Sequence, residues 1–376
     1  MSNRHKELFK DFKSNSKDEW LKVTEKDLKG NNVFEQYSWQ PDPKITLNPY
    51  YDNSDITFKQ SHFDNRLFNN RETNGESRYW DNFQLLKVNS EKEANEIALA
   101  ALNNGATGII FDLEKNKIVN FDELLKDILP AYCNISLMLS ENAKTHLNNY
   151  VSFLADSNFK AEDIVGLIMS SNSDEYLSNT NLEAFPHLKS IQIELPSDLS
   201  FTESVAHGLT SLVHTIENLT DEGVTSQQIF DSLFINVPLS TGYFEEIARI
   251  KAIRRLVYQI AQAYGHESFL PEDLYILGTS HAWNNEAYEP QANLLKSTTA
   301  CMAAIIGGCN GILIKPSDED SSLLKRMAVN TSLILKEEAY LNKVNDPVAG
   351  SYYLETLIDQ ISQQAWTEFQ SKLNEE

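Results

Sequence analysis

The chain has 376 residues, 41% of them apolar, enough to bury a sizeable core in one large domain or two ordinary ones. Its net charge of −22 excludes nucleic acid and anionic membrane as partners, since both repel an acidic surface. Residues 1–30 are charged throughout and no apolar run nears the ~20 residues of a membrane helix, so a soluble, cytoplasmic protein is expected. The three cysteines, Cys133, Cys301 and Cys309, lack metal-ligand spacing and read as buried reduced thiols.

In chain order, residues 1–29 carry helical spacing, with one apolar cluster at Leu8, Phe9 and Phe12 and another at Trp20, Leu21, Val23 and Leu28. Ser16 before Lys17-Asp18-Glu19 reads as an N-cap with acids in the first turn, and Gly30 as the stop. Residues 31–81 are poorly periodic but rich in Asn, Pro and aromatics, which is too long for an ordinary loop. An extended arm laid on a surface is the reading, either this chain's own barrel or a partner. Its anchors, and partner-binding candidates, are Trp20, Trp39, Tyr50 and Tyr51.

From residue 83 the pattern turns regular. Strands are predicted at 83–88, 108–113, 134–140, 164–170, 188–195, 232–239, 274–280 and 311–315. Helices are predicted at 91–104, 121–129, 143–157, 203–222, 242–264, 290–306 and 321–338, with an uncertain piece around 174–185. Eight near-continuously apolar strands, most followed by a helix, is the arithmetic of a (β/α)8 barrel. An open doubly wound sheet is the rival, although no G-x-G-x-x-G follows any strand. The expected organisation is an arm at 1–82, a barrel at 83–355 and a C-terminal helix within 356–376. On the helix at 244–265, Arg249, Lys251, Arg254 and Arg255 form a basic face, read as solvated or paired with the acidic surface.

Catalytic groups of such barrels sit at the C-terminal strand ends. There the sequence offers His281, Lys315, Asp112 and Glu194 as weak candidates. His281 would be a general base without a partner, Asp112 and Glu194 an acid pair, and Lys315 an anion contact. No Ser–His–Asp order, HExxH, P-loop or metal-spaced cluster is present.

Several strings near the end are more specific. They are Trp283 with Glu289-Pro290 and Asn293, Gly307-Gly308-Cys309-Asn310-Gly311, Asn330-Thr331, and Asp346-Pro347 with Ala349-Gly350-Ser351-Tyr352-Tyr353. Together they resemble the barrel of the methylmalonyl-CoA mutase family, which interconverts methylmalonyl-CoA and succinyl-CoA with adenosylcobalamin. The arm resembles that of mutase small subunits, where it embraces the partner. The resemblance implies a large catalytic subunit as partner in a heterodimer serving propionate metabolism.

It also implies that this chain is not the catalytic one. Catalytic subunits of the family carry a histidine soon after strand five, whereas residues 190–203 contain none. Their second histidine falls here near Leu313, and their glutamine before the Asp-Pro-like pair falls at Tyr288. None of the eight histidines follows an Asp by two residues, so the cobalt-ligating D-x-H-x-x-G is missing. No cofactor is expected on this chain, no C-terminal cobalamin-binding domain is expected after residue 355, and adenosylcobalamin is expected in the partner. Two other classes fit the same residues: a free-standing barrel enzyme with different chemistry, and a CoA-ester binding module without turnover.

Overall fold

The computed structural model describes residues 15–56, 78–115, 118–140, 142–170, 181–283 and 290–375. Leu8, Phe9, Phe12, Tyr288, Glu289 and the segment 174–180 lie outside them. Helix α1 (Lys17–Asp27) is capped by Ser16, whose hydroxyl accepts from the Glu19 N–H while the Glu19 carboxylate takes the Ser16 N–H. Gly30 follows at φ +90°, a backbone setting that favours glycine. Short helix α2 (Val33–Tyr37) leads into an antiparallel hairpin of β1 (Trp39–Asp42) and β2 (Ile45–Leu47). The extended reading of residues 31–81 therefore missed two very short strands, too brief to show a period of two.

The barrel starts at β3 (Asp81–Lys87) and continues through β4 (Gly108–Asp112), β5 (Asn134–Leu139) and β6 (Gly166–Ser170). Next come β7 (Leu188–Lys189), β8 (Ile191–Glu194), β9 (Leu233–Leu239), β10 (Tyr275–Ser280) and β11 (Gly311–Leu313). All pairings among them are parallel. The sheet order runs β7-β6-β5-β4-β3-β11-β10-β9-β8, so its two ends are consecutive in the chain. Only Ser190 separates them, and its N–H donates to Ser232 O at 2.9 Å. The predicted strand at 188–195 is thus one stave bent at Ser190: its first half pairs with β6 and its second half with β9. Counting it once gives eight staves and the expected (β/α)8 barrel.

Around the staves run α3 (Glu91–Asn103), α4 (Phe121–Leu124), α5 (Ala143–Asp156), α6 (Phe201–Asp221) and α7 (Ser226–Ser232). These are followed by α8 (Tyr243–Ala263), α9 (Pro290–Gly307), α10 (Ser322–Glu337) and α11 (Tyr352–Glu375). Helix α4 is much shorter than the periodicity at 121–129 predicted, and α11 begins earlier than the C-terminal piece assigned from 356.

Inside the barrel a separate apolar cluster fills the axis, with Phe83, Ile110, Leu167, Phe234, Leu277 and Leu313 among its members. Two glycines make this packing possible. A Cβ on Gly108 would lie 2.5 Å from the Phe83 ring, and one on Gly311 would meet Tyr275 Oη at 2.5 Å and Phe83 at 2.6 Å. The Phe83 ring occupies the space those side chains would take.

The basic face of α8 is a correction to the sequence reading. Arg249, Lys251 and Arg254 are buried, not solvated. The reason is that each is covered by a polar lid. Arg249 forks onto Glu246 and reaches Pro238 O at 2.6 Å. Lys251 pairs with Asp346 in the turn before α11, and Arg255 with Asp359 on α11 itself. Arg254 donates to Pro271 O, Leu274 O, Gly308 O and Asn310 Oδ1 at 2.6–2.8 Å, tying together the loops that feed β10 and β11. A buried cation needs such partners to offset its lost hydration.

The hairpin is bonded to the same body. Asp42 accepts from the N–H and hydroxyl of Thr202 in the first turn of α6, at 3.0 and 3.1 Å. This is a carboxylate at a helix N-terminus, where unpaired N–H groups favour it. Lys44 pairs with Glu368 on α11 at 2.8 Å. Ile45 and Leu47 lie in the main apolar cluster, each contributing about 1.5–3 kcal/mol by burial.

Candidate functional site

The barrel mouth is framed by the C-terminal strand ends, where inward residues alternate with outward ones. On β8 the inward pair is Gln192 and Glu194; Ile191, Ile193 and Leu195 pack outward in the core. The Glu194 carboxylate accepts from Asn236 Nδ2 at 2.7 Å and from Gln192 Nε2 at 2.8 Å. Asn236 Oδ1 in turn accepts from Thr279 Oγ1 at 2.7 Å. Three adjacent staves are thereby joined by one polar chain.

Water reaches Glu194 from the mouth, yet protein atoms crowd around it. This partial desolvation raises its pKa above the ordinary carboxylate value. The hydrogen bonds from Asn236 and Gln192, and the nearby charge of Lys315, act in the opposite direction.

The four sequence candidates are not assembled into one constellation. Lys315 follows β11, its N–H held by Ser280 Oγ at 2.9 Å, and its charge acts on Glu194. Asp112 ends β4, separated from the Glu194 stave by β5 and β6, and its Oδ1 accepts from the Glu114 N–H at 3.1 Å. An adjacent acid pair therefore does not form. His281 is exposed, its ring edge-on to Trp283 at 6.0 Å. Lys87, at the end of β3, pairs with Glu319. What the sequence reading missed is Asn236 and Gln192. A signal was present: single polar residues inside the apolar strings IQIEL and FINVPL must face the barrel interior or the core.

The arm candidates form a second group. Trp20 stacks on Tyr50, with ring centroids 4.6 Å apart and planes at 17°. Tyr51 meets Tyr353 edge-on at 5.7 Å, and Tyr353 meets Phe244 at 5.5 Å. Burial raises the Tyr353 hydroxyl to about 12. Trp39 stands apart, half exposed. Helix α1 has no buried residue at all, and Lys17 holds it to Asp55 at 2.6 Å.

A cavity of about 910 Å³ lies at the opposite end of the barrel, where strands begin. His266 faces it between Asp231 (3.4 Å) and Ser268 (3.3 Å). The cavity is large, but catalytic groups of this fold gather at the other face, so the mouth is the place to look for chemistry. Among the described residues no group of three His, Cys, Asp or Glu could hold a metal ion, and no helix is long and apolar enough to cross a membrane.

Comparison with known proteins gives a consistent answer. The family model described as methylmalonyl-CoA mutase matches residues 199–374. The methylmalonyl-CoA mutase small subunit of Porphyromonas gingivalis is 28% identical, over 99% of this chain and 65% of that protein. The small subunit of Propionibacterium freudenreichii subsp. shermanii is 25% identical, over 79% of this chain and 50% of that protein. The chain thus spans between half and two thirds of these relatives' lengths. Among solved structures, Yersinia pestis DHPS aligns with 70% of this chain and 94% of its own, at 15% identity and a TM-score of 0.39. The matched region is the barrel's second half, and the similarity to small subunits of methylmalonyl-CoA mutase extends along most or all of the chain.

Proposed function

We propose that the chain acts as the small, non-catalytic subunit of a methylmalonyl-CoA mutase heterodimer, binding and stabilising a large subunit that carries out the isomerisation. The observation that carries this reading is the similarity to a named small subunit along 99% of the chain. The mouth supports it. Glu194 is engaged by Asn236 and Gln192, Lys87 is paired with Glu319, and among the described residues no general acid and base converge. The arm supports it too, because α1 has no buried residue and Trp39 offers an apolar ring to a second surface.

Adenosylcobalamin is assigned to the partner. A cobalt-ligating histidine needs a carboxylate or carbonyl on its other nitrogen to fix the tautomer and raise its basicity. His281, the imidazole of the mouth, is exposed and has the Trp283 ring as its neighbour. The described residues do not fit the cofactor.

The experiment measures isomerase turnover for three samples: the large subunit alone, this chain alone, and the two together. Activity and thermal stability of the large subunit should rise when this chain is added, while this chain alone turns over nothing. Turnover by the isolated chain would overturn the reading. A second reading, a CoA-ester binding module, is favoured by the cavity of about 910 Å³, whose size suits an organic ligand. Saturable heat on titrating a CoA thioester into the isolated chain would support that reading instead.

A further inference from the structure

Helices α3 and α10 flank the seam where the last stave, β11, meets the first, β3. Each turns a stripe of side chains toward the other. On α3 the stripe is Ile97, Ala100, Ala101 and the C-cap Asn104, spaced i, i+3, i+4, i+7. On α10 it is Ser322, Lys325, Arg326 and Val329, with the same spacing. Facing stripes of this kind normally interdigitate at 8–10 Å between helix axes. Here a groove of about 370 Å³ separates them, floored by Gln84 of β3. It opens at the barrel mouth into a second cavity of about 290 Å³ that shares Gln84, Ile97, Lys325 and Val329.

Two properties set this trough apart. Its outer lip is apolar: Leu323 is 54% exposed and Ile97 39%. Its charge also runs against that of the chain. The protein has 54 acidic against 32 basic residues. The trough gathers Lys87, Lys315, Lys325 and Arg326 against Glu93, Glu319 and Asp320. The acids all lie at the mouth end, so the groove between the helices holds Lys325 and Arg326 with no carboxylate among its lining residues.

We infer that this groove docks an amphipathic helix of the partner subunit, one with short apolar side chains on one face and carboxylates beside them. The inference rests on the assembly reading above. A third helix fits between two unmeshed helical stripes as a ridge fits a groove. Its apolar side chains would cover Ile97, Ala100 and Leu323, the exposed apolar side chains of the groove. Its carboxylates would meet Lys325 and Arg326, which also disfavours a basic competitor.

The test measures the affinity of the full chain for the large subunit at two salt concentrations. Four proteins are compared: wild type, Leu323→Asp, Arg326→Glu and Tyr132→Asp. Leu323, Arg326 and Tyr132 are all exposed, Tyr132 at 83% on the loop before β5, so each variant should fold; a thermal melt checks this. Leu323→Asp should weaken binding about tenfold or more, as loss of an interface anchor does. Arg326→Glu should weaken it most at low salt, where screening is least. Tyr132→Asp should match wild type. If Leu323→Asp and Arg326→Glu also match wild type, the groove is not the docking site. If the isolated chain self-associates and Leu323→Asp abolishes that, a second copy is the occupant and the inference is overturned. If wild type does not bind the large subunit at all, the assembly reading falls, and the groove assignment with it.

Discussion

Replacing Arg254 by Met should cost about 3–5 kcal/mol of folding stability. The side chain is 1% exposed and donates four hydrogen bonds, three of them to main-chain carbonyls at Pro271, Leu274 and Gly308. Burial pushes the guanidinium down to about 10, still well above neutrality, so it enters the fold charged. Methionine restores much of the aliphatic volume but none of the donors. Each buried acceptor left unsatisfied costs about 1–3 kcal/mol, or about 3–9 for the three carbonyls. The Asn310 side chain loses less, because its Oδ1 also accepts from the Ile276 N–H at 3.0 Å. Removing a buried cation returns several kcal/mol of desolvation. The difference leaves a loss near that measured when one member of a buried charged network is deleted, about 3–5 kcal/mol.

Against a typical total of about 5–15 kcal/mol, this is a large fraction. Urea unfolding followed by far-UV circular dichroism reads it as a lower midpoint with an unchanged slope. Arg254→Lys should recover only part of the loss, since one ammonium cannot span the loops before β10 and β11 as the planar fork does. A loss under about 1 kcal/mol for Arg254→Met would refute the claim that this cation holds the two loops together.

Four further outcomes are expected. Gly311→Ala should destabilise by about 1–3 kcal/mol or more in the same urea assay, because its Cβ would press on Tyr275 Oη and the Phe83 ring inside a filled barrel. Asp42→Ala should cost about 1–2 kcal/mol by stripping the first turn of α6 of its carboxylate, and truncation through residue 52 should cost more than truncation through residue 37, since only the former removes Ile45 and Leu47 from the core. Glu194→Gln tests the raised carboxylate. Between the ordinary value of 4.5 and the higher folded value the native state holds the extra proton, so wild-type stability falls as pH rises through that window. The glutamine variant should then gain on wild type at pH 7 and lose that advantage below the ordinary value; a midpoint at pH 7 lower than wild type would contradict this.

The staves were legible because parallel strands buried on both faces are continuous apolar runs, and GIIFDL or NISLMLS can hardly be anything else. The bend at Ser190 was not legible, since LKSIQIEL keeps its apolar pattern across the break and only the pairings to β6 and β9 reveal it. The basic face of α8 was misread for a different reason. Arginine and lysine are normally exposed, and nothing local to α8 announces that Asp346, Asp359 and the Pro271–Leu274 carbonyls will lie over it. Those partners come from far along the chain, where helical periodicity carries no information. The mouth was half legible. Strand ends named Glu194 and Lys315, but the chain from Thr279 through Asn236 to Glu194 depends on which staves are neighbours. The arm's aromatic anchors were visible as residues too apolar for a free tail, while their pairing, Trp20 on Tyr50 and Tyr51 on Tyr353, was not.

The central claim is that this barrel serves as the supporting half of a two-chain enzyme. Native mass spectrometry of the full chain mixed with a large methylmalonyl-CoA mutase subunit tests it most directly. A one-to-one complex that carries one adenosylcobalamin, released together with the large subunit when the complex is dissociated, is the predicted result. Two separate species, or the cofactor travelling with this chain, would contradict it.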